Sequence, residues 1–262
     1  MRRMSDQADG LDDGLAYSHN NSEHELSEHG SDVEECLTET KENVNIEVSS
    51  KKRKNKTDKL SQKKKQKMEF DIEQKRSLAK ESPEIIFDRL ALKVRQHNPN
   101  LSALELSDLY INKSSLKSSQ NFVIERTLDH LKDFLQSNLQ KILNEKKFIL
   151  ILSVSARRAC DVFRATKSIP NGALKLINKN KLQDDLAVLK KSKSRVLAAT
   201  AGRVAKIINH EDNVLEPESI GGIVCDSTFL DTKLQNVWDY NETFQVIHEI
   251  TSKNTHCKVY LF

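Results

Sequence analysis

Residues 195–203 read RVLAATAGR, which is the pattern of a buried strand followed by a tight turn and the start of a helix. The small and apolar residues from 196 to 199 suit a strand in the interior of a sheet. Gly202 lets a ligand approach the backbone closely, and the Thr200 hydroxyl and the Arg203 guanidinium are groups that bind phosphate. The segment therefore predicts a strand–turn–helix unit whose turn can hold an anion.

The same alternation of strand and helix continues on both sides of this segment. Short apolar, β-branched runs predict strands at 148–152, 173–177, 195–199, 222–225 and 258–262, with helices at 156–166, 182–190, 204–208 and 243–251 between them. Strands joined through helices form parallel sheets with helices on both faces. The sequence thus predicts a single α/β domain of this kind.

Two helices are expected before the first strand. Ser82 is a good N-cap and Pro83 suits the first helical position, so one helix begins there. A second, amphipathic helix is predicted from apolar residues at three- and four-residue spacing between Ile124 and Leu143. In that pattern Arg126 falls on the solvent face.

Charge divides the N-terminal part of the chain into two blocks. Residues 1–50 contain thirteen acids and few large apolar residues, which predicts a disordered acidic tail. Residues 51–80 contain thirteen Lys or Arg, so this stretch is expected to be a basic linker. The sequence therefore predicts three parts: a disordered acidic tail at 1–50, a basic linker at 51–80 and a folded domain at 81–262.

Two basic clusters separated by a short spacer lie in the linker. Their cations are Lys51, Lys52, Arg53 and Lys54, and then Lys63, Lys64 and Lys65. This spacing fits a two-part nuclear localisation signal, and it fits equally a phosphate-binding arm for RNA. A solvated linker with no partner is the third interpretation.

Candidate binding residues follow three of the predicted strands. They are Ser155, Arg157 and Arg158 after the first strand, and Thr200, Gly202 and Arg203 after the third. Asp226 and Asp231 follow the fourth strand, where a DEAD-box helicase carries its Asp-Glu-Ala-Asp motif. Ligands of parallel sheets sit beyond the C-terminal ends of the strands. Each residue also fits a structural role as a helix cap, a turn or an exposed helical position, but their order at three strand ends favours binding of RNA.

The turn at residues 200–203 resembles the Thr-Pro-Gly-Arg turn with which the first RecA-like domain of DEAD-box RNA helicases holds RNA phosphates. Such helicases also need a glycine-rich loop to cradle nucleotide phosphates. The chain has no glycine between Ser31 and Asn171, and Ser227 stands where the second acid of Asp-Glu-Ala-Asp is expected. The sequence therefore predicts a helicase-like domain that is not an enzyme and needs no cofactor.

The four cysteines are widely separated and form no Cys-x-x-Cys pair, so neither a metal site nor a disulfide framework is expected. No apolar run is long enough for a membrane span, and no signal peptide is visible. We expect a soluble intracellular protein with no membrane partner.

From about residue 85 to the C-terminus the chain resembles the Cms-type ribosomal small-subunit homologues, a eukaryotic nucleolar family. The resemblance lies in the segments 105–109 (ELSDL), 151–159 (ILSVSARRA), 199–203 (ATAGR) and 224–233 (VCDSTFLDTK). Ala201 departs from it, because many relatives have proline there. The resemblance implies a RecA-like fold, residence in the nucleus and nucleolus, and binding to pre-ribosomal RNA or to proteins of the small-subunit pre-ribosome. A pure protein-interaction scaffold without RNA contact is the alternative.

Overall fold

The computed structural model describes the backbone of residues 50–145 and 147–262, and the side chains of 60–145 and 147–262. The predicted acidic tail lies outside these residues except for Ser50. The helices are α1 (Ser50–Ser77), α2 (Pro83–His97), α3 (Ala103–Ser107), α4 (Leu131–Asn144), α5 (Ala156–Thr166), α6 (Leu182–Lys191), α7 (Ala201–Ile208) and α8 (Asn241–Lys253). The strands are β1 (Phe148–Leu152), β2 (Ala173–Leu176), β3 (Val196–Ala199), β4 (Ile220–Cys225) and β5 (Lys258–Leu261).

The five strands form one sheet in the order β2-β3-β1-β4-β5, and every pairing is parallel. Both faces of the sheet are buried. Along β1, Leu150 and Leu152 belong to the core on one face, and Ile149 and Ile151 belong to the core on the other. The prediction of an α/β fold with a parallel sheet between two helical layers is confirmed.

The two helical layers follow from the apolar faces of the helices. Buried residues of α4 and α5 join the core that contains Ile149, and those of α2, α7 and α8 join the core that contains Leu150. The starts of α2 and α3 are fixed by serine N-caps, Ser82 and Ser102, whose hydroxyls accept backbone N–H groups. The helix predicted at Ser82 and Pro83 is thus confirmed.

The end of α1 packs onto the domain. Leu78 and Ala79, in the 3₁₀ turn that follows α1, are buried. The Lys75 ammonium donates to Asp239 Oδ2 at 2.6 Å, and Lys93 of α2 donates to Asp239 Oδ1 at 2.7 Å. Burial opposes ionisation of Asp239, but these two cations hold the pKa of its carboxyl below the ordinary value. The packed body therefore begins several residues before position 81.

The segment from Ile124 to His130 departs from the predicted helix. The α-helix begins at Leu131, after a 3₁₀ turn at 128–130. Val123 and Ile124 are 88% and 47% exposed, so they contribute little to the core. The start predicted at Ile124 was wrong because apolar spacing alone does not fix where a helix begins, and no side-chain cap precedes this one. As a consequence Arg126, predicted on a solvent face, is buried.

The outer edge of β5 is covered by another part of the chain. Leu116 forms an isolated parallel bridge with Val259, and the backbone N–H of Lys117 donates to the Val259 carbonyl at 2.9 Å. A covered edge leaves fewer unpaired backbone groups available to another chain. This segment leads directly to Ser119 and Arg126, which are described below.

Candidate nucleic-acid interface

The C-terminal ends of β1 and β3 open into one cleft of about 310 Å³. Three of the predicted binding residues, Ser155, Thr200 and Gly202, line it together. The first turns of α5 and α7 face the same space, because α5 begins at residue 156 and α7 at residue 201. Helix N-termini carry unpaired backbone N–H groups and a partial positive charge, so this cleft favours an anion.

Two hydroxyl groups at this cleft lack partners. Ser153 Oγ and Thr200 Oγ1 are buried and have no hydrogen-bond partner within the part of the chain that is described. Ser155 differs, because its hydroxyl accepts the backbone N–H of Arg158 at 3.2 Å and so caps α5. An unpaired buried hydroxyl is costly, so Ser153 and Thr200 are the groups here with most to gain from a ligand.

A carboxylate lies against the start of α7. A Cβ atom added to Gly202 would lie 2.7 Å from Glu242 Oε2, which places the Glu242 carboxylate directly over the glycine. Glu242 is itself in the first turn of α8. The position that favours an anion is therefore already approached by an acidic side chain of the chain itself.

Arg158 forms an internal ion pair. Its Nε donates to Asp226 Oδ2 at 2.6 Å and its Nη2 donates to Oδ1 at 3.2 Å, and the guanidinium stacks 4.1 Å from the centre of the Phe229 ring. Asp226 is 2% exposed. Burial raises the pKa of its carboxyl, and the bonds from Arg158 offset that rise only in part. The structure thus joins the ends of β1 and β4 through this pair.

Arg203 is likewise held inside the chain. It is 3% exposed, and its Nε donates to the carbonyl of Ile177 at 3.0 Å while Nη2 donates to that of Asn180. Nε also lies 3.0 Å from Asp185 Oδ2, an ion pair without hydrogen-bond geometry. Burial raises the pKa of Asp185. Arg203 thus ties α7 to the loop after β2 and to α6.

The remaining predicted residues are placed in different ways. Arg157 is exposed in the first turn of α5, and Lys63, Lys64 and Lys65 are exposed on α1. The side chains of Lys51, Lys52, Arg53 and Lys54 lie outside the described residues.

Asp231 Oδ1 accepts the backbone N–H groups of Lys233 and Gln235, at 2.9 and 2.8 Å, and so closes a turn. Ser227 is buried, and its hydroxyl accepts the indole N–H of Trp238 at 2.9 Å.

A family model described as "CMS1: U3-containing 90S pre-ribosomal complex subunit" matches residues 35–260. The chain belongs to the CMS1 family. Protein CMS1 of Chaetomium thermophilum is 30% identical over 190 residues, which are 68% of this chain and 75% of that protein. Protein CMS1 of Saccharomyces cerevisiae is 29% identical over 209 residues, 74% and 70% of the two chains. Protein cms1 of Schizosaccharomyces pombe is 29% identical over 182 residues, 66% and 65% of the two chains. No solved structure matches.

In this CMS1-family chain, several residues that line the cleft between α5 and α7 were not predicted from the sequence. Asn178, Tyr240 and Glu242 line it from the loop after β2 and from the start of α8. Lys179 and Lys181 are exposed in that same loop, beyond the end of β2. The general rule that ligands sit beyond strand ends indicates these loops, but only the three-dimensional fold selects the residues.

Within the described residues no three His, Cys, Asp or Glu side chains come together as a metal site. The helices of the described part include none with the length and apolarity to cross a membrane. Cys225 and Cys257 are free thiols in the core, where burial raises the pKa of each.

Proposed function

We propose that this chain is a non-catalytic factor of the early small-subunit pre-ribosome, and that it binds the backbone of pre-ribosomal RNA at the cleft between α5 and α7. The description of the CMS1 family as a 90S pre-ribosomal complex subunit supports the assembly role. In this proposal the domain is a RecA-like, helicase-related module without nucleotide-driven chemistry, and it works in the nucleolus.

One observation carries the RNA proposal. Ser155, Thr200 and Gly202, which are separated in sequence, meet in a cleft with two helix N-termini and with two hydroxyls that have no hydrogen-bond partner among the described residues. Hydroxyls and first-turn N–H groups are the donors with which proteins hold phosphate without reading base sequence. The strand order also supports it, because β3, β1 and β4 are adjacent and their ends form one continuous edge.

The five arginine and hydroxyl positions have different roles in this proposal. Thr200 and the amides near Gly202 act as phosphate donors, and Arg157 supplies an exposed charge beside them. Ser155 keeps α5 in place as its cap. Arg158 and Arg203 form internal ion pairs with Asp226 and Asp185 at this edge of the sheet. We therefore assign them to positioning rather than to direct RNA contact. The Asp226 carboxylate accepts the hydrogen bonds of Arg158, and the Asp231 carboxylate closes a turn by accepting backbone N–H groups. The basic residues of α1 add a salt-sensitive, sequence-independent attraction.

The test is binding of fluorescent single-stranded RNA to the full chain across a salt series. Arg157→Ala should weaken binding and lower the slope of log affinity against log salt by about 0.7, the value for one phosphate contact on a single strand. Arg164→Ala is the matched control, since Arg164 is exposed on the same helix α5 but lies in its last turn. If both variants bind RNA with the same affinity and slope, the cleft is not the site.

Glu242→Gln gives a test in the opposite direction. The carboxylate lies where a phosphate would approach Gly202, so its neutralisation should tighten RNA binding. A gain of about two- to fivefold is expected from the removal of one partly exposed like charge. Weaker or unchanged binding by Glu242→Gln would contradict placement of a phosphate at the start of α7.

A pure protein-interaction scaffold is the second candidate, and one feature favours it. An apolar groove of about 640 Å³ lies between α1 and α2, with Met68, Ile72, Leu92, Leu234 and Trp238 among its lining residues. Crosslinking of the full chain to RNA in cells, followed by sequencing, separates the candidates. Crosslinks on small-subunit precursor RNA support the RNA proposal, while co-purifying pre-ribosomal proteins without RNA crosslinks support the scaffold.

A further inference from the structure

A second cleft, of about 610 Å³, lies beside the end of α1 and the loop that follows β4. It shares no lining residue with the cleft between α5 and α7. Its lining is rich in cations and hydroxyls, with Arg76, Lys80, Arg126, Thr127, Arg158 and Thr228 among the residues.

Arg126 is the unusual residue in this cleft. It is 7% exposed, and its Nη2 donates to the carbonyls of Ala79 and Ser119 at 3.1 and 2.8 Å. Its Nε and Nη1 have no hydrogen-bond partner among residues 60–145 and 147–262. Three of the five N–H donors of this buried guanidinium thus have no partner among the described residues.

No acidic group compensates this charge. Burial is the cause that lowers the pKa of Arg126, and no carboxylate of the described side chains acts on it. Arginine nevertheless stays protonated at physiological pH. Burial of an unpaired cation is unfavourable, and an anion that supplies the missing partner reduces this penalty.

The surroundings of Arg126 indicate which kind of anion fits. Arg76 and Lys80 are exposed cations at the mouth of the cleft, where Glu73 and Glu125 are exposed as well. Phe229 and the neighbouring leucines give the cleft an apolar side. Its volume lies within the range of 300–1,000 Å³ that small-molecule sites occupy, so there is room for an organic group besides the anion.

We propose that this cleft binds a small organic phosphate, with the phosphate held by the unused donors of Arg126 and by Lys80. Arg126 lines the cleft, but its Nε and Nη1 are buried, so in this proposal a change in its side-chain dihedral angles brings them to the ligand. A guanidinium holds phosphate oxygens through two parallel bonds, which a lysine cannot imitate. The Thr127 hydroxyl is a further donor on the cleft wall, whereas the Thr228 hydroxyl donates to the backbone carbonyl of Arg126 at 3.3 Å. This site is independent of RNA binding between α5 and α7.

The experiment measures thermal unfolding of the full chain with inorganic phosphate, AMP or adenosine at one fixed ionic strength. Phosphate and AMP should raise Tm in a saturable way, and adenosine should not. Lys80→Gln should raise the apparent Kd for AMP about two- to fivefold, as expected for one charge at the mouth. Arg126→Lys should raise it about tenfold or more, since it removes charge-assisted bonds.

Lys190→Gln is the matched control, because Lys190 is an exposed lysine of α6 and lines neither cleft. It should bind AMP as the unchanged chain does. If Arg126→Lys does not fold, Lys80→Gln against Lys190→Gln decides the question.

Three outcomes overturn the proposal. The first is the absence of a saturable Tm shift with phosphate and with AMP in the unchanged chain. The second is a shift caused by a short RNA without terminal phosphates but not by phosphate or AMP, which would assign the cleft to RNA phosphodiesters. The third is equal AMP binding by Lys80→Gln and Lys190→Gln.

Discussion

The edge of the sheet after β3 and the cleft beside α1 each contain a buried arginine, but only one of them has a carboxylate partner. Arg203 is 3% exposed and lies 3.0 Å from Asp185. Arg126 is 7% exposed; among the described residues its hydrogen-bond acceptors are carbonyl and hydroxyl oxygens, and its guanidinium lies 5.9 Å from the centre of the Phe122 ring. Arg158, paired with Asp226, follows the pattern of Arg203. The comparison teaches that burial alone does not indicate whether an arginine is structural, because the decisive property is what satisfies its donors.

The same substitution by methionine at all three positions measures this difference. Methionine keeps much of the length and apolar volume of arginine and removes its charge. Arg203→Met should have the largest effect, a loss of about 3–5 kcal/mol in the free energy of unfolding, because Asp185 stays buried without its ion-pair partner. Urea denaturation followed by circular dichroism measures it.

The double variant with Asp185→Asn is the control for Arg203→Met. It should regain part of the lost stability, since no buried charge is left unpaired. A loss below about 1 kcal/mol for Arg203→Met alone would contradict the structural role of this ion pair.

Arg158→Met should have the next largest effect, about 3 kcal/mol near neutral pH, and the effect should depend on pH. Folding already raises the pKa of Asp226 above its ordinary value, so the folded chain binds a proton more tightly than the unfolded chain does. The contribution of Asp226 to stability is therefore greatest at low pH and is lost as pH rises through the folded pKa. Removal of Arg158 raises that pKa further, so the loss should be smaller at acidic pH than near neutral pH.

The measurement is urea denaturation of the unchanged chain and of Arg158→Met, each near neutral pH and at acidic pH. An equal difference in the free energy of unfolding at both pH values would show that the carboxyl does not titrate in this window. A difference that grows on acidification would contradict the sign of the argument.

Arg126→Met should have a smaller effect, about 1 kcal/mol. The variant loses the bonds from Nη2 to the carbonyls of Ala79 and Ser119, but no carboxylate is left buried. The removal of an unpaired buried charge offsets part of the loss. Urea denaturation of Arg126→Met and Arg203→Met under the same conditions compares their losses in the free energy of unfolding. A larger loss for Arg126→Met would contradict the difference drawn between the two arginines.

The smallest effects on stability are expected from removal of two hydroxyl groups at the edge of the sheet, those of Ser155 and Thr200. Ser155→Ala should cost about 1 kcal/mol, because the hydroxyl caps α5. Thr200→Val should cost about 0 kcal/mol, since the Thr200 hydroxyl has no partner within the described residues and makes no cap bond to α7. Denaturation curves of both variants measure this, and RNA binding should weaken for Thr200→Val despite its unchanged stability.

Much of the fold is predictable from local pattern. The apolar runs at β1 to β5 lie at or within a residue or two of the predicted positions, and α5, α6, α7 and α8 fall between them as expected. Buried parallel strands are continuous apolar runs, so they are visible in one dimension. The predicted binding residues Ser155, Thr200 and Gly202 do meet in one cleft, because strands of one parallel sheet end at the same edge.

Other features depend on residues far apart in the chain. Arg158 pairs with Asp226 and Arg203 with Asp185, although in sequence the first three residues named resemble free charges after strands, and Asp185 lies in a predicted helix. Glu242 approaches Gly202 from α8, forty residues away in number. Because ion pairs form between side chains that only folding brings together, the sequence alone could not separate the arginines that hold the fold from those that remain available.

The sequence by itself determined the strands, most of the helices, the parallel sheet and the edge at which binding residues collect, since these follow from the spacing of apolar residues and the short connections between them. Only the tertiary structure decided which charges are satisfied. The physical reason is that the free energy of a buried charge depends on its nearest partners, and for Arg126 those partners lie at Ala79 and Ser119, on segments that pack beside it only in the folded chain.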